Sequence, residues 1–257
     1  MGTEPRASFE RHPGLTGRSP EARALADELR RLIRLSVSAT PSAGETAALT
    51  AQLAAVADQL EVHVPEVPVP RYAPVADGSR TGSALTGGLL IDTSMPFDLV
   101  VGGFNPMALP VRLAAELPKA LGYATFTVAY EGAPGCVHGG ALAATFDIVL
   151  SAANAIAGAA GPTVRLNLRY RRPTLIEQEA LFEGWVTEVT DRRVFSRGRV
   201  VQGGSVTVEA EGEFAISSYD GVHQMAVVRR AASDQKGPVG GAAEGGALGD
   251  LASGPTT

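Results

Sequence analysis

Between Tyr130 and Asp147 the chain reads YEGAPGCVHGGALAATFD. A Gly/Pro-rich loop delivers His138, Gly139 and Gly140 to the start of an apolar run that contains a single acid, Asp147. Glycines at a helix N-terminus let a ligand approach free backbone N–H groups that already carry the positive end of the helix dipole. Such a place suits an oxyanion or a polarised carbonyl. Asp147, surrounded in sequence by apolar residues, destabilises the fold unless it is partnered or used chemically. The structural alternatives are plain: a helix cap for His138, a tight turn for the glycines, and a buried acid satisfied by backbone or hydroxyl for Asp147. Cys136 precedes His138 by two residues, but no third group orients the pair as a thiol nucleophile would need.

His138 and Asp147 lie nine residues apart. On one helix that spacing amounts to about 900° of rotation and about 13.5 Å of rise, so the two side chains point to opposite sides. They cannot form a dyad within one chain. If they share a site, a second copy supplies one of them, which implies a symmetric homodimer with two composite sites.

The elements that must position these residues follow from periodicity. Residues 141–160 are long and apolar enough to imitate a membrane span, but Asp147 near the middle would cost roughly 2.5 to 3.5 kcal/mol there. The segment reads instead as a soluble helix buried on nearly all sides. Before it, VRLAAEL and YATFTVAY (123–130) flank residues 118–122 and read as a strand pair. After Gly161-Pro162 come four more strand-like runs, at 163–170, 180–189, 194–201 and 205–216. In the last, Val206, Val208, Ala210, Phe214 and Ile216 alternate with Thr207, Glu209, Glu211 and Glu213, the period of a half-buried antiparallel strand. Trp185, the sole tryptophan, reads as strand packing. Two strands, one helix and four strands do not make the alternation of a doubly wound sheet. They make an α+β fold, an antiparallel sheet wrapped around a single helix.

The flanks differ in character. Residues 1–18 read as a disordered leader. Residues 19–61 read as a helical hairpin, opened by Ser19-Pro20-Glu21 and then by Ser42 with Glu45 at capping-box spacing. Its stripes, Leu25, Leu29, Leu32 and Ile33, then Leu49, Leu53, Val56 and Leu60, must pack on something larger. Residues 62–88 are a Pro-rich linker, 89–219 the sheet-and-helix domain, and 220–257 a Gly/Ala/Ser/Pro tail expected to be disordered.

Composition narrows the function. The chain has 257 residues, 45% of them hydrophobic, with net charge -5, so it has material for a core and no global basic field for nucleic acid. Its single cysteine excludes an internal disulfide, and its four histidines show no metal-ligand spacing. A cytoplasmic location without structural metal is expected, since the N-terminus has no apolar stretch after a basic region. The positive charge is local: residues 163–200 hold eight arginines against five acids. Arginine is the side chain best suited to gripping phosphate.

The string VHGGALAATFD, followed by TVRLNLRYRRP, resembles the hot-dog-fold acyl-CoA thioesterases, most closely the PaaI-type and THEM-like branch, over residues 89–217. The resemblance implies a six-stranded antiparallel sheet around one helix, with two subunits joined edge to edge, or tetramers of such pairs. It implies that the Gly139 N–H, helped by Gly140, polarises a thioester carbonyl. Asp147 of the other subunit would be general base or nucleophile, and Thr163 would orient the water or the Asp. Many PaaI-type members carry an Asn upstream of the H-G-G that also holds the carbonyl. Here that position is Gly132, and His138 is the candidate to replace it, as in the THEM-like branch. CoA is part of the substrate, no separate cofactor is implied, and Arg169, Arg171 and Arg172 are the candidates for its phosphates. Arg192, Arg193 and Arg197 are weaker ones.

Two other functions compete. A non-catalytic acyl-CoA binder or sensor of the same fold would keep the pocket but release no thiol. A hydratase is suggested by Asp98 and the pair Asn105-Pro106, although no His follows at the spacing such a site needs.

Overall fold

The computed structural model describes residues 12–66, 69 and 95–216. Most of the Pro-rich linker and the whole segment 220–257 lie outside these. Residues 12–18, expected in a disordered leader, instead form turns. There His12 and Leu15 are fully buried, and the imidazole meets Phe97 edge-on at 5.2 Å.

Helix α1 (Ser19–Ser36) starts with proline in its first turn, and α2 (Ala43–Glu61) starts from Ser42. The capping box is formed: Ser42 Oγ accepts from Glu45 N at 3.3 Å and the Glu45 carboxylate accepts from Ser42 N at 2.9 Å. Helix α1 buries Ala26. It is held to the loop ahead of the sheet by Arg30, whose Nη2 donates to the carbonyls of Gly102, Gly103 and Asn105 at 2.7–3.1 Å. No residue of α2 is buried, and its stripe of Leu49, Leu53, Val56 and Leu60 stands exposed.

The domain proper contains β1 (Val111–Glu116), β2 (Lys119–Thr125), helix α3 (Gly139–Ile156), β3 (Thr163–Tyr170), β4 (Glu179–Val189), β5 (Arg193–Gln202) and β6 (Ser205–Ala215). All strand pairs are antiparallel and the order is β1-β2-β4-β5-β6-β3. This is the six-stranded sheet around one helix that the sequence implies, with β1 and β3 at its edges. Helix α3 is the one described helix long and apolar enough to cross a membrane, and it lies on the sheet with Phe146, Val149, Leu150 and Ala153 fully buried.

One strand falls elsewhere than the sequence suggests. The second strand is not 123–130 but Lys119–Thr125, because the turn is only Leu117-Pro118 and pairing resumes at Glu116↔Lys119. Residues Val128–Tyr130 form a 3-10 turn. Their apolar character serves the core beside fully buried Phe126 rather than a ladder.

A row of small residues crosses the middle of the sheet: Ala120 pairs with Gly184, Gly184 with Gly198, and Gly198 with Ala210. Helix α3 lies in the trough this row leaves. A Cβ on Gly184 would sit 3.0 Å from Val149 Cγ1, and one on Gly198 would sit 2.7 Å from the Glu183 carbonyl oxygen and 2.9 Å from Phe146. Neither gap has room for a methyl group.

On the outer face, Glu183 receives Lys119 at 2.9 Å and the Arg199 guanidinium. The Arg199 hydrogen bond, assisted by Lys119, holds its carboxyl below the usual value of 4.5 despite burial. A lowered folded-state value stabilises the fold above 4.5 and loses that contribution as pH falls through it.

Two outcomes follow. Gly198→Val should lower unfolding free energy by about 1–3 kcal/mol in a urea titration, because the trough cannot widen without shifting strands or helix. Glu183→Gln should flatten the fall in melting temperature expected of the parent protein on acidification below 4.5.

Candidate active site

The loop ahead of α3 is stitched from both sides. Gly132 N donates to the Cys136 carbonyl, His138 N to the Tyr130 carbonyl, Val137 N to the Thr174 carbonyl and Ile176 N to the Gly135 carbonyl, all at 2.8–3.1 Å. The loop is thus anchored to the segment after β3. Tyr130 fixes its near end: the hydroxyl donates to the Ala108 carbonyl at 3.1 Å, and burial pushes its pKa up while Arg30 opposes the rise.

His138 is the N-cap of α3. Its Nδ1 accepts from Gly140 N at 2.9 Å, and its carbonyl accepts from Ala141 N at 3.0 Å. The first turn therefore has its second and third N–H groups occupied. The Gly139 N–H has no hydrogen-bond partner among the described residues. With Nδ1 accepting, a neutral imidazole carries its proton on Nε2, which remains a donor. His138 is thus a cap whose other ring nitrogen is left for a further partner.

Gly132 shows why no asparagine stands there. A Cβ at that position would come within 2.9 Å of His138 Cα and 3.3 Å of His138 Cβ. The loop brings backbone against the cap, and His138 occupies the space beside it.

Asp147 is half-buried, and its Oδ1 accepts from Thr163 Oγ1 at 2.5 Å. Regular alternation would put Thr163 with Arg165, Asn167 and Arg169, facing away from the helix. A register shift between Thr163 and Arg165 re-aims it. The structure thus brings Thr163 and Asp147 together. It places His138 and Gly139 nine and eight residues earlier, more than two turns up the same helix. The candidate groups thus fall at two separate places, the helix terminus and the third turn.

Nothing in the sequence singles out Tyr170. At the end of β3 its hydroxyl donates to the Gly139 carbonyl at 2.9 Å. Its ring lies against the α-carbon of Gly139, where an added Cβ would meet the hydroxyl at 3.0 Å. The signal available is position alone, an aromatic at a strand end between two arginines.

The candidate phosphate ligands divide. Arg171 is engaged, its Nε and Nη2 donating to Glu209 at 2.8 and 2.5 Å. Arg172 reaches Ser205 Oγ at 3.4 Å, and Arg169 pairs with no carboxylate among the described residues. Arg193 and Arg197 form ion pairs with Glu213 and Glu211 on the sheet, and Arg192 is exposed in the hairpin turn. The Cys136 thiol points to the Pro134 carbonyl at 3.5 Å, not to His138.

Asp98 and Asn105 fold their own loop. The Asp98 carboxylate accepts from Val100 N and Val101 N, while Asn105 donates to the Phe97 carbonyl and accepts from Met107 N. They do not converge on a hydratase site. Among the described residues no group of three or more metal-ligating side chains occurs.

Residues 134–209 match the model of the thioesterase superfamily. A solved thioesterase superfamily protein is similar at 28% identity with a TM-score of 0.64, covering 75% of this chain and 94% of its own. Residues 95–216 alone are too few to supply that coverage, so the likeness takes in part of the N-terminal region. More distant are a mutant of the phenylacetic acid degradation protein PaaI from Thermus thermophilus and a Streptococcus mutans protein bound to acetyl CoA. The first has 18% identity, a TM-score of 0.40, and coverage of 42% of this chain and 95% of its own. The second has 12% identity, a TM-score of 0.40, and coverage of 42% and 89%. No curated protein matches the chain in sequence. The fold is the hot-dog fold, decorated at its N-terminus by helices.

His138→Ala should remove the cap at the head of α3 and lower stability by about 1 kcal/mol, measured by chemical denaturation.

Proposed function

We propose that the chain is an acyl-CoA thioesterase that works as a homodimer. The observation that carries this is the division of labour at α3: one unpartnered N–H at its terminus, and a hydroxyl-oriented carboxylate on its third turn facing another way.

In the composite site, the thioester carbonyl oxygen of the substrate lies on the Gly139 N–H and the His138 Nε2–H of one subunit. Asp147 of the second subunit faces the carbonyl carbon. Thr163 donates to one carboxylate oxygen, which leaves the other for a water molecule. Acting as general base, Asp147 takes a proton as water adds to the carbonyl. The developing oxyanion meets the positive end of the helix dipole, with the Gly139 N–H and the His138 Nε2–H as its proposed donors. Collapse expels the CoA thiolate, which takes the proton back, giving acid and free CoA. Asp147 adding directly as nucleophile is the other route to the same products. The unpaired outer edge of β3 carries Thr163 and is the edge through which two sheets would join. CoA belongs to the substrate, no further cofactor enters, and Arg169 and Arg172 are the candidates for its phosphates, Arg171 being paired with Glu209. The cytoplasm, where acyl-CoA is available and Cys136 stays reduced, is the proposed location.

Asp147→Asn should leave a folded dimer whose thiol release from acyl-CoA, followed with dithionitrobenzoate, falls by about 10²–10⁴. Gly139→Pro should act on the other half. Proline suits the first helical position and removes the proposed donor, and Gly139→Ala, which sets the same Cβ against the Tyr170 hydroxyl at 3.0 Å but keeps the N–H, is its control; kcat/KM should fall by about 10²–10³ in the proline variant relative to the alanine one. Full activity in either the Asp147→Asn or the Gly139→Pro variant contradicts the assignment. Tight acyl-CoA binding by the parent without thiol release would make the chain a binder instead.

A further inference from the structure

Away from Gly139 and Asp147, a cleft of about 730 Å³ opens between α1 and the β1–β2 hairpin. Its volume lies within the range of about 300–1,000 Å³ usual for small-molecule sites. Five arginines line it, Arg23, Arg30, Arg31 and Arg34 from α1 and Arg112 from β1, against one lining carboxylate, Glu179. On α1 the spacing of Arg23, Arg30 and Arg34 puts them on one stripe.

Three of the five have work within the protein. Arg30 docks the helix through three carbonyls and pairs with Asp27 at 2.5 Å. Arg23 shares Asp27 at 3.3 Å, and Arg31 pairs with Glu28 at 3.2 Å. Arg34 and Arg112 differ, since neither pairs with a carboxylate among the described residues. The Arg112 guanidinium is held over the Tyr123 ring at 5.8 Å, which orients it and leaves its N–H fork open. The Tyr123 ring lies on the same face of the hairpin as Arg112, whereas Val111, Leu113 and Ala124 turn to the core side.

We propose that this cleft is a binding site for an organic ligand carrying two phosphate groups, gripped by Arg34 and Arg112. Planar guanidinium forks match phosphate oxygens in pairs, and two open forks set the number of groups. The Tyr123 ring and the aliphatic stems of the arginines offer apolar surface to the organic part. Two ligands share this chemistry, the nucleotide end of a CoA ester and a free nucleotide bisphosphate. The cleft ends at Tyr130, whose carbonyl accepts from His138 N at 2.8 Å, so a CoA ester held here would lie beside the loop that carries the cap. The site is independent of whether the chain hydrolyses thioesters.

Adenosine 3′,5′-bisphosphate and inorganic pyrophosphate are the probes, titrated calorimetrically into the full chain at low salt. The parent should bind the nucleotide saturably. Arg34→Ala/Arg112→Ala should weaken binding by at least about tenfold. Neither Arg34 nor Arg112 pairs with a described carboxylate, so the fold should persist, as a thermal melt would show. Should the double variant melt early, each single variant must weaken binding by itself. A KM for acyl-CoA that rises with kcat unchanged in the Arg34/Arg112 variant identifies the substrate's own phosphates. An unchanged KM with nucleotide binding lost identifies a separate nucleotide. No saturable binding of either probe, or binding indifferent to Arg34 and Arg112, overturns the proposal.

Discussion

The distance at which α3 lies on the sheet is set by residues that have almost no side chain. The row Ala120, Gly184, Gly198, Ala210 runs straight across four strands, and the helix occupies the trough it leaves. Phe182, Val200 and Val208 rise along one side of that row, and Phe146 from the helix meets Phe182 edge-on at 5.2 Å. A close-packed interior has no slack to absorb a larger side chain there. The depth of the helix then fixes both chemical ends: where its N-terminus emerges between the 131–137 loop and Tyr170, and where Asp147 meets the start of β3.

At the terminus the accounting of N–H groups is what gives the site its character. A helix start always leaves donors over, and a protein ordinarily caps them. Here His138 caps the second donor with a ring nitrogen and the third with its carbonyl, leaving Gly139 open. The open donor is accessible because Gly139 has no Cβ and because Tyr170 secures the carbonyl of the same residue from the other side. At the third turn the logic is reversed. Asp147 pairs with no cation among the described residues, and one hydroxyl, that of Thr163, orients its carboxylate. Because the two ends belong to one rigid rod, neither can swing to meet the other. Hence a site that uses both ends needs a second copy of the chain.

Much of this is legible in the sequence, and what is not has identifiable reasons. Strand β3 can be read to the residue, since alternation between Leu166, Leu168 and the intervening polar residues is unambiguous once Gly161-Pro162 stops the helix. Strand β2 is misplaced by such a reading because Phe126, Val128 and Tyr130 continue its apolar pattern after the ladder has ended, and core packing and pairing look alike in one dimension. The Asp147 to Thr163 contact rests on resemblance, because the bulge that aims Thr163 leaves no compositional trace. Tyr170 escapes for a similar reason. The small-residue row is a property of register: Gly184 and Gly198 are unremarkable until β4 and β5 are paired. The arginines mislead in the opposite direction, since the dense run after residue 163 is largely tied up with Glu209, Glu211 and Glu213, while the open forks lie on α1 and β1.

The composite site is the central claim, and subunit complementation tests it most directly. Asp147→Asn chains and Gly139→Pro chains, each inactive as homodimers, are unfolded together and refolded as an equal mixture. A mixed dimer then contains one site with both defects and one with neither. With half of the dimers mixed and each carrying one intact site, the account predicts recovery of about a quarter of the parent thiol-release activity. If mixed dimers are demonstrably present and activity stays at the level of the separate variants, Gly139 and Asp147 do not serve one site, and the account fails.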